Sequence, residues 1–110
     1  IVRASFNEGA VTGVASQPVQ FVLEQNFPNP FNPTTVVRFA IPEAGDVRLS
    51  IHAANGQLVR TLVDRPLPSG NHEVVWDGKD ALGREVASGV YVCRLRTERA
   101  EATRRMTLLR

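Results

Sequence analysis

Apolar and polar residues alternate along most of this chain with a period of two, and nowhere with the 3.6-residue period of a helix. Thr35–Ile41 sets Val37, Phe39 and Ile41 on one face and Val36, Arg38 and Ala40 on the other. Asp46–Ala53 repeats the pattern, with Val47, Leu49, Ile51 and Ala53 opposed by Arg48, Ser50 and His52. His72–Asp77 groups His72, Val74 and Trp76, and Gly89–Thr97 groups Tyr91, Cys93 and Leu95. Ala102–Leu109 offers Met106 and Leu108 to one side. Successive side chains of a strand point to opposite faces, so each segment predicts a strand buried on one side. Shorter runs at Val19–Leu23 and Gln57–Val63 bring the expectation to about seven strands.

Turn signals separate these runs at intervals of roughly 8–12 residues, the spacing of an antiparallel β-sandwich. Pro42–Gly45 and Glu98–Glu101 read as turns, and Pro66–Gly70 as the end of a strand. Asn55-Gly56 predicts a two-residue type I′ hairpin, whose central residues both need positive φ. Asp77–Glu85 is a polar loop with two glycines. Residues 1–17 hold no sustained period and read as a linker or the end of a preceding module. The ordered domain is expected over 18–110, which is enough chain for one core and not for two.

One segment breaks the alternation. Phe27-Pro28-Asn29-Pro30-Phe31-Asn32-Pro33-Thr34-Thr35 places three prolines within six residues. Proline holds φ near −65° and disfavours the helical region for the residue before it. The expectation is a stiff, extended strap across the domain, unlike a flexible Gly/Ser linker. Phe27 and Phe31 would anchor it, while Asn29 and Asn32 would bond to nearby backbone as in Asx-turns.

Charge narrows the function classes. All but Lys79 of the 13 basic residues are Arg, against 11 acids and a net charge of +2. Arg94, Arg96, Arg99, Arg104, Arg105 and Arg110 crowd the end, but Glu98 and Glu101 interleave and aromatics for base stacking are few. A solvated Arg-rich face is expected, and no nucleic-acid partner. No apolar run approaches the roughly 18 residues of a membrane-crossing helix. The chain opens without Met or a leader-like segment, so it is expected to be a piece of a longer polypeptide with any export signal upstream.

Catalytic and metal chemistry find little to build on. Cys93 is the single cysteine and falls in an apolar-alternating run, where a buried thiol is expected. His52 and His72 sit on different strands, His72 toward the core and His52 toward solvent, so no metal site is expected. Asp77 and Asp80 lie three apart, but a calcium loop needs more alternating oxygens and a closing Glu at another spacing. Turn formation accounts for them. Asn32-Pro33-Thr34 is barred from glycosylation by its central proline. Trp76 and Tyr91 allow a sugar-binding platform, although a core plug is the plainer role for a lone Trp. No catalytic residue, metal or cofactor is expected.

Leu23–Thr35, carrying Asn26, Pro28, Asn29, Pro30, Phe31, Asn32 and Pro33, resembles the opening signature of the C-terminal sorting domains of type IX secretion cargo, type A. Ala87–Leu95, with Gly89 and Tyr91, is similar to that family's Ser-Gly-Val-Tyr strand, though Val92 and Cys93 stand where it more often has aromatics. Arg104-Arg105-Met106-Thr107-Leu108-Leu109-Arg110 resembles its basic-Met-apolar-apolar-basic terminus, and Trp76–Arg84 also resembles the immunoglobulin-like domain of flagellar hook-capping proteins. The resemblance implies an all-β, immunoglobulin-like sandwich and a non-catalytic sorting module. Its partners would be an upstream cargo domain in the same chain, an outer-membrane translocon and the processing or attachment machinery. The location would be secreted or cell-surface, reached through the periplasm. Thr103, Arg104, Arg105, Met106, Thr107, Leu108, Leu109 and Arg110 would carry recognition, on a final edge strand able to pair or peel. Cleavage would fall in 1–17. The alternatives are a carbohydrate-binding accessory module of a glycosidase and a structural spacer or assembly domain.

Overall fold

The computed structural model describes residues 20–110; the expected linker at 1–17 and the domain start at Pro18 lie outside them. Seven strands and no helix occupy the described residues. They are β1 (Val22–Leu23), β2 (Thr35–Ile41), β3 (Gly45–Ala53), β4 (Leu58–Leu67), β5 (Gly70–Trp76), β6 (Gly89–Arg96) and β7 (Glu101–Leu108). A three-stranded sheet runs β1-β2-β5, and a four-stranded sheet runs β4-β3-β6-β7. Every pairing of these strands is antiparallel.

The apolar face expected of each strand is the face that meets the other sheet. Val37, Phe39 and Ile41 from β2 pack with Val47, Leu49 and Ile51 from β3, Tyr91, Cys93 and Leu95 from β6, and Met106 and Leu108 from β7. Trp76 at the end of β5 is fully buried among them. This shared apolar interior, about 25 cal/mol for each Å² removed from water, holds the sheets together.

Three local expectations are corrected. The Asn55-Gly56 hairpin is not a two-residue turn: the Gly56 amide bonds to Ala53 O at 2.8 Å and the Ala53 amide to Gln57 O at 2.8 Å. Gly56, with φ of 92°, therefore closes a three-residue loop, and its missing Cβ permits the left-handed conformation there. Next, β4 does not stop at Pro66 but runs through it to Leu67. It is an edge strand, where a missing amide is tolerated. Two register shifts against β3 insert Val59 and Leu62 into β4, and both pack against the core.

The third correction concerns the proline strap, which is bent rather than extended. Its three X-Pro bonds are cis, and residues 28–30 and 32–33 form bends. Phe27 and Val36 exchange backbone hydrogen bonds of 3.0 and 2.9 Å, so the strap closes into a loop. Buried Asn26 pinches its neck, donating through Nδ2 to Thr35 Oγ1 at 3.0 Å and to Pro28 O at 3.1 Å. The Thr35 hydroxyl donates in turn to Pro28 O at 2.9 Å. Only Phe31 anchors the strap in the core; Phe27 is 70% exposed.

Candidate functional site

The three segments singled out by resemblance meet at one end and edge of the sandwich. Gly89 lies opposite Leu108 and Tyr91 opposite Met106 in the β6–β7 register. Phe31 forms a parallel bridge with Leu108: its amide bonds to Thr107 O at 2.9 Å and its carbonyl accepts the Leu109 amide at 2.9 Å. Asn29 does not bond locally as expected; its Oδ1 accepts the Thr107 amide at 2.9 Å. Gln25 Nε2 donates to Arg105 O at 2.6 Å. Residues 25–31 thus cover the free backbone edge of β7 from Arg105 to Leu109, and there the terminal strand is not the open edge expected of it.

Of the eight residues expected to carry recognition, Met106 and Leu108 are fully buried. Thr107 is half-buried, and Thr103, Arg104, Arg105, Leu109 and Arg110 reach the surface. Two of the arginines are tied down. Arg104 Nε donates to Leu23 O at 2.9 Å, crossing from one sheet to the other. Arg110 donates through Nε to Val86 O and through Nη2 to Gly78 O, both at 2.6 Å, and its amide bonds to Ser88 Oγ at 2.8 Å. Thr103, Arg105 and Leu109 are the exposed members whose side chains make no such anchoring bond among the described residues.

Gly78 is where this end of the molecule is tightest. Its φ is +75°, and a Cβ there would meet Pro33 O at 2.8 Å and Arg110 Nη2 at 3.0 Å. The Asp-Gly dipeptide was legible as a turn, but the approach of the strap and Arg110 was not. Gln25 and Ser88 fall within segments that resembled the family, but nothing local to them or to Val86 indicated their partners, which lie far along the chain.

Trp76 plugs the core beside this junction. Its indole N–H donates to Lys79 O at 2.9 Å, and its ring packs on Phe31 at 5.6 Å and edge-on to Tyr91 at 5.5 Å. The Tyr91 hydroxyl donates to Ala87 O at 2.6 Å, and burial raises its pKa against the opposing pull of Arg110. Both rings are buried, so neither offers a platform to a sugar.

The remaining polar candidates are occupied. Asp77 accepts Lys79 N at 3.1 Å and pairs with Arg60 at 3.0 Å. Asp80 accepts the amides of Leu82 and Arg84, each at 2.9 Å; the Arg84 amide is the main cause holding its carboxyl below the usual range. His72 stacks on Phe39 at 5.3 Å and bonds to Pro68 O at 2.8 Å, while half-buried His52 bonds to Ser50 Oγ at 3.0 Å on the outer face. No group of three or more metal-ligating side chains occurs among the described residues. Burial pushes the Cys93 thiol up to about 12, which leaves it an inert core group. No helix among the described residues is long and apolar enough to cross a membrane.

No curated protein matches the chain. Solved structures do. PorZ of Porphyromonas gingivalis, an essential surface component of the type-IX secretion system, is 26% identical with a TM-score of 0.55, over 80% of this chain and 11% of PorZ. Latent PorU of the same organism is 20% identical with a TM-score of 0.59, over 90% of this chain and 10% of PorU, a likeness of fold. FlgD of Xanthomonas campestris, a hook-capping protein of flagellar assembly, is 27% identical with a TM-score of 0.55, over 81% of this chain and 65% of FlgD. The chain therefore spans only a small part of PorZ and PorU, and just under two thirds of FlgD. The family model of the FlgD Ig-like domain matches residues 31–101, from the strap's buried Phe31 to the start of β7, and the chain belongs to that family.

Proposed function

We propose that this domain is a non-catalytic sorting module that directs a larger exported protein through a type IX secretion translocon. The observation that carries the reading is the union of the two end signatures. The proline-asparagine strap and the basic-Met-apolar-apolar-basic segment form one hydrogen-bonded unit through Asn29–Thr107 and Phe31–Leu109. Likeness to PorZ supports it. An address must be held in a fixed shape to be read repeatedly, and this unit is held without a disulfide. Partners on this reading are the cargo domain in the same chain, the outer-membrane translocon and the enzymes that clip or attach the cargo. The location is the cell surface or beyond.

The translocon reads the exposed part of the unit, Thr103, Arg105 and Leu109, and not the buried Met106 and Leu108. Deleting Arg104–Arg110 would empty two core positions, so the test uses surface substitutions. A reporter carrying this domain, with Arg105→Glu and Leu109→Ser together, should accumulate in the periplasm while its thermal unfolding stays near that of the parent. Undiminished export of that folded variant would refute recognition at this strand.

A second reading draws on FlgD: an assembly domain that packs against further copies or neighbours in a surface structure. Concentration-dependent association of the isolated domain would favour it, and a monomer at all concentrations would not.

A further inference from the structure

We propose that the outer face of the four-stranded sheet holds a binding site for a phosphomonoester group, built by Arg48, Arg94 and Arg96. This site lies apart from the strap, meets the terminal strand through Glu101 at its start, and does not depend on the sorting role. In the β3–β6 pairing Arg48 lies directly opposite Arg96, and Ser50 opposite Arg94. Like charges directly opposed across two strands destabilise the sheet, so this placement needs a reason. One carboxylate serves both guanidiniums of β6: Glu101 is bonded by Arg94 Nε and lies 3.8 Å from Arg96 Nη2. Arg48 has no ion-pair partner among the described residues, and Asp64, its cross-strand neighbour on β4, forms none with it.

The three arginines, with Ser50, His52 and Leu58, line a cleft of about 190 Å³. Guanidinium groups match phosphate oxygens as flat two-pronged donors, and a dianion set between Arg48 and Arg96 turns their repulsion into attraction. Glu101 serves the two β6 arginines and leaves Arg48 without an anion, whereas a phosphomonoester presents three oxygens that can bridge Arg48 to the arginines lining the same cleft. The ligand is a soluble phosphomonoester rather than a lipid surface. Leu58 is the single apolar side chain lining the cleft, too little to enter a bilayer.

Inorganic phosphate is the probe, titrated into the full chain at constant ionic strength with chloride as the control, and followed by amide NMR shifts. Saturable shifts confined to residues 48–52 and 92–96 are expected. Arg48→Gln and Arg96→Gln should each weaken phosphate binding about tenfold or more, since each removes a charged donor. Arg65 pairs with Val47 and so lies on the opposite face of the sheet from Arg48; Arg65→Gln should leave binding unchanged. Because it relieves a like-charge pair, Arg48→Gln should unfold no earlier than the parent without phosphate, so a loss of binding is not a loss of fold. Non-saturating shifts spread equally over Arg99 and Arg104 would overturn the site, as would unaltered binding by the two variants. So would capture by phosphatidylglycerol vesicles with no response to free phosphate.

Discussion

The side-chain oxygen of Asn29 accepts the backbone amide of Thr107 at 2.9 Å, joining residues 78 positions apart in the chain. An asparagine of the proline strap thereby does the work of a neighbouring strand, occupying a donor on the edge of β7. Asn26 is complementary: it is buried and holds the neck of the strap through Thr35 and Pro28.

The two asparagines are expected to differ in cost. Asn29→Ala removes one partly exposed hydrogen bond and should lower stability by about 1 kcal/mol. Asn26→Ala leaves the buried Thr35 hydroxyl without its donor and should cost about 2–3 kcal/mol. Urea unfolding midpoints with unchanged slopes would measure both, and equal effects would contradict the pinch at Asn26.

Gly78→Ala should destabilise the domain by about 1–3 kcal/mol, since it forces a left-handed φ on a side chain and drives a methyl into Pro33 O. The same methyl crowds the Arg110 guanidinium. In a double-mutant cycle, Gly78→Ala and Arg110→Ala should therefore be non-additive. Additive losses would mean that the two residues are not in contact.

Trp76 should emit at short wavelength and resist quenching by acrylamide until the domain unfolds, because its ring is buried between Phe31 and Tyr91. Trp76→Ala should cost about 3–5 kcal/mol. An exposed emission spectrum, or retention of the folded domain on insoluble polysaccharide that Trp76→Phe abolishes, would restore the carbohydrate reading.

Cys93 supplies a pH dependence. Its thiol is raised from an ordinary 9.0 to about 12 by burial, so the folded state favours the protonated form. That contribution is complete below pH 9.0, declines as the unfolded thiol ionises above it, and is gone once pH passes about 12. The slope in that window approaches about 1.4 kcal/mol per pH unit. Burial raises the Tyr91 hydroxyl in the same direction. Unfolding free energies measured across alkaline pH should fall less steeply for Cys93→Ala than for the parent, and native Cys93 should escape alkylation that the denatured chain undergoes. Rapid alkylation of the native domain would contradict the burial.

Period-two alternation alone placed β2, β3, β5, β6 and β7 to within a residue or two, since each sheet has one dry face and each strand must repeat that constraint every second residue. Burial of Cys93, Trp76 and Tyr91 followed from the same pattern. Only the folded chain decided what the proline strap and the terminal strand are to each other. Their contact depends on an Asn side chain and a single parallel bridge between residues almost 80 apart, and no local periodicity encodes such a pairing. The same holds for Gly78 under Pro33 and Arg110, and for Arg48 facing Arg96. Each residue is unremarkable along the chain, and its role arises from register between strands, which sequence pattern constrains to a face but not to a neighbour.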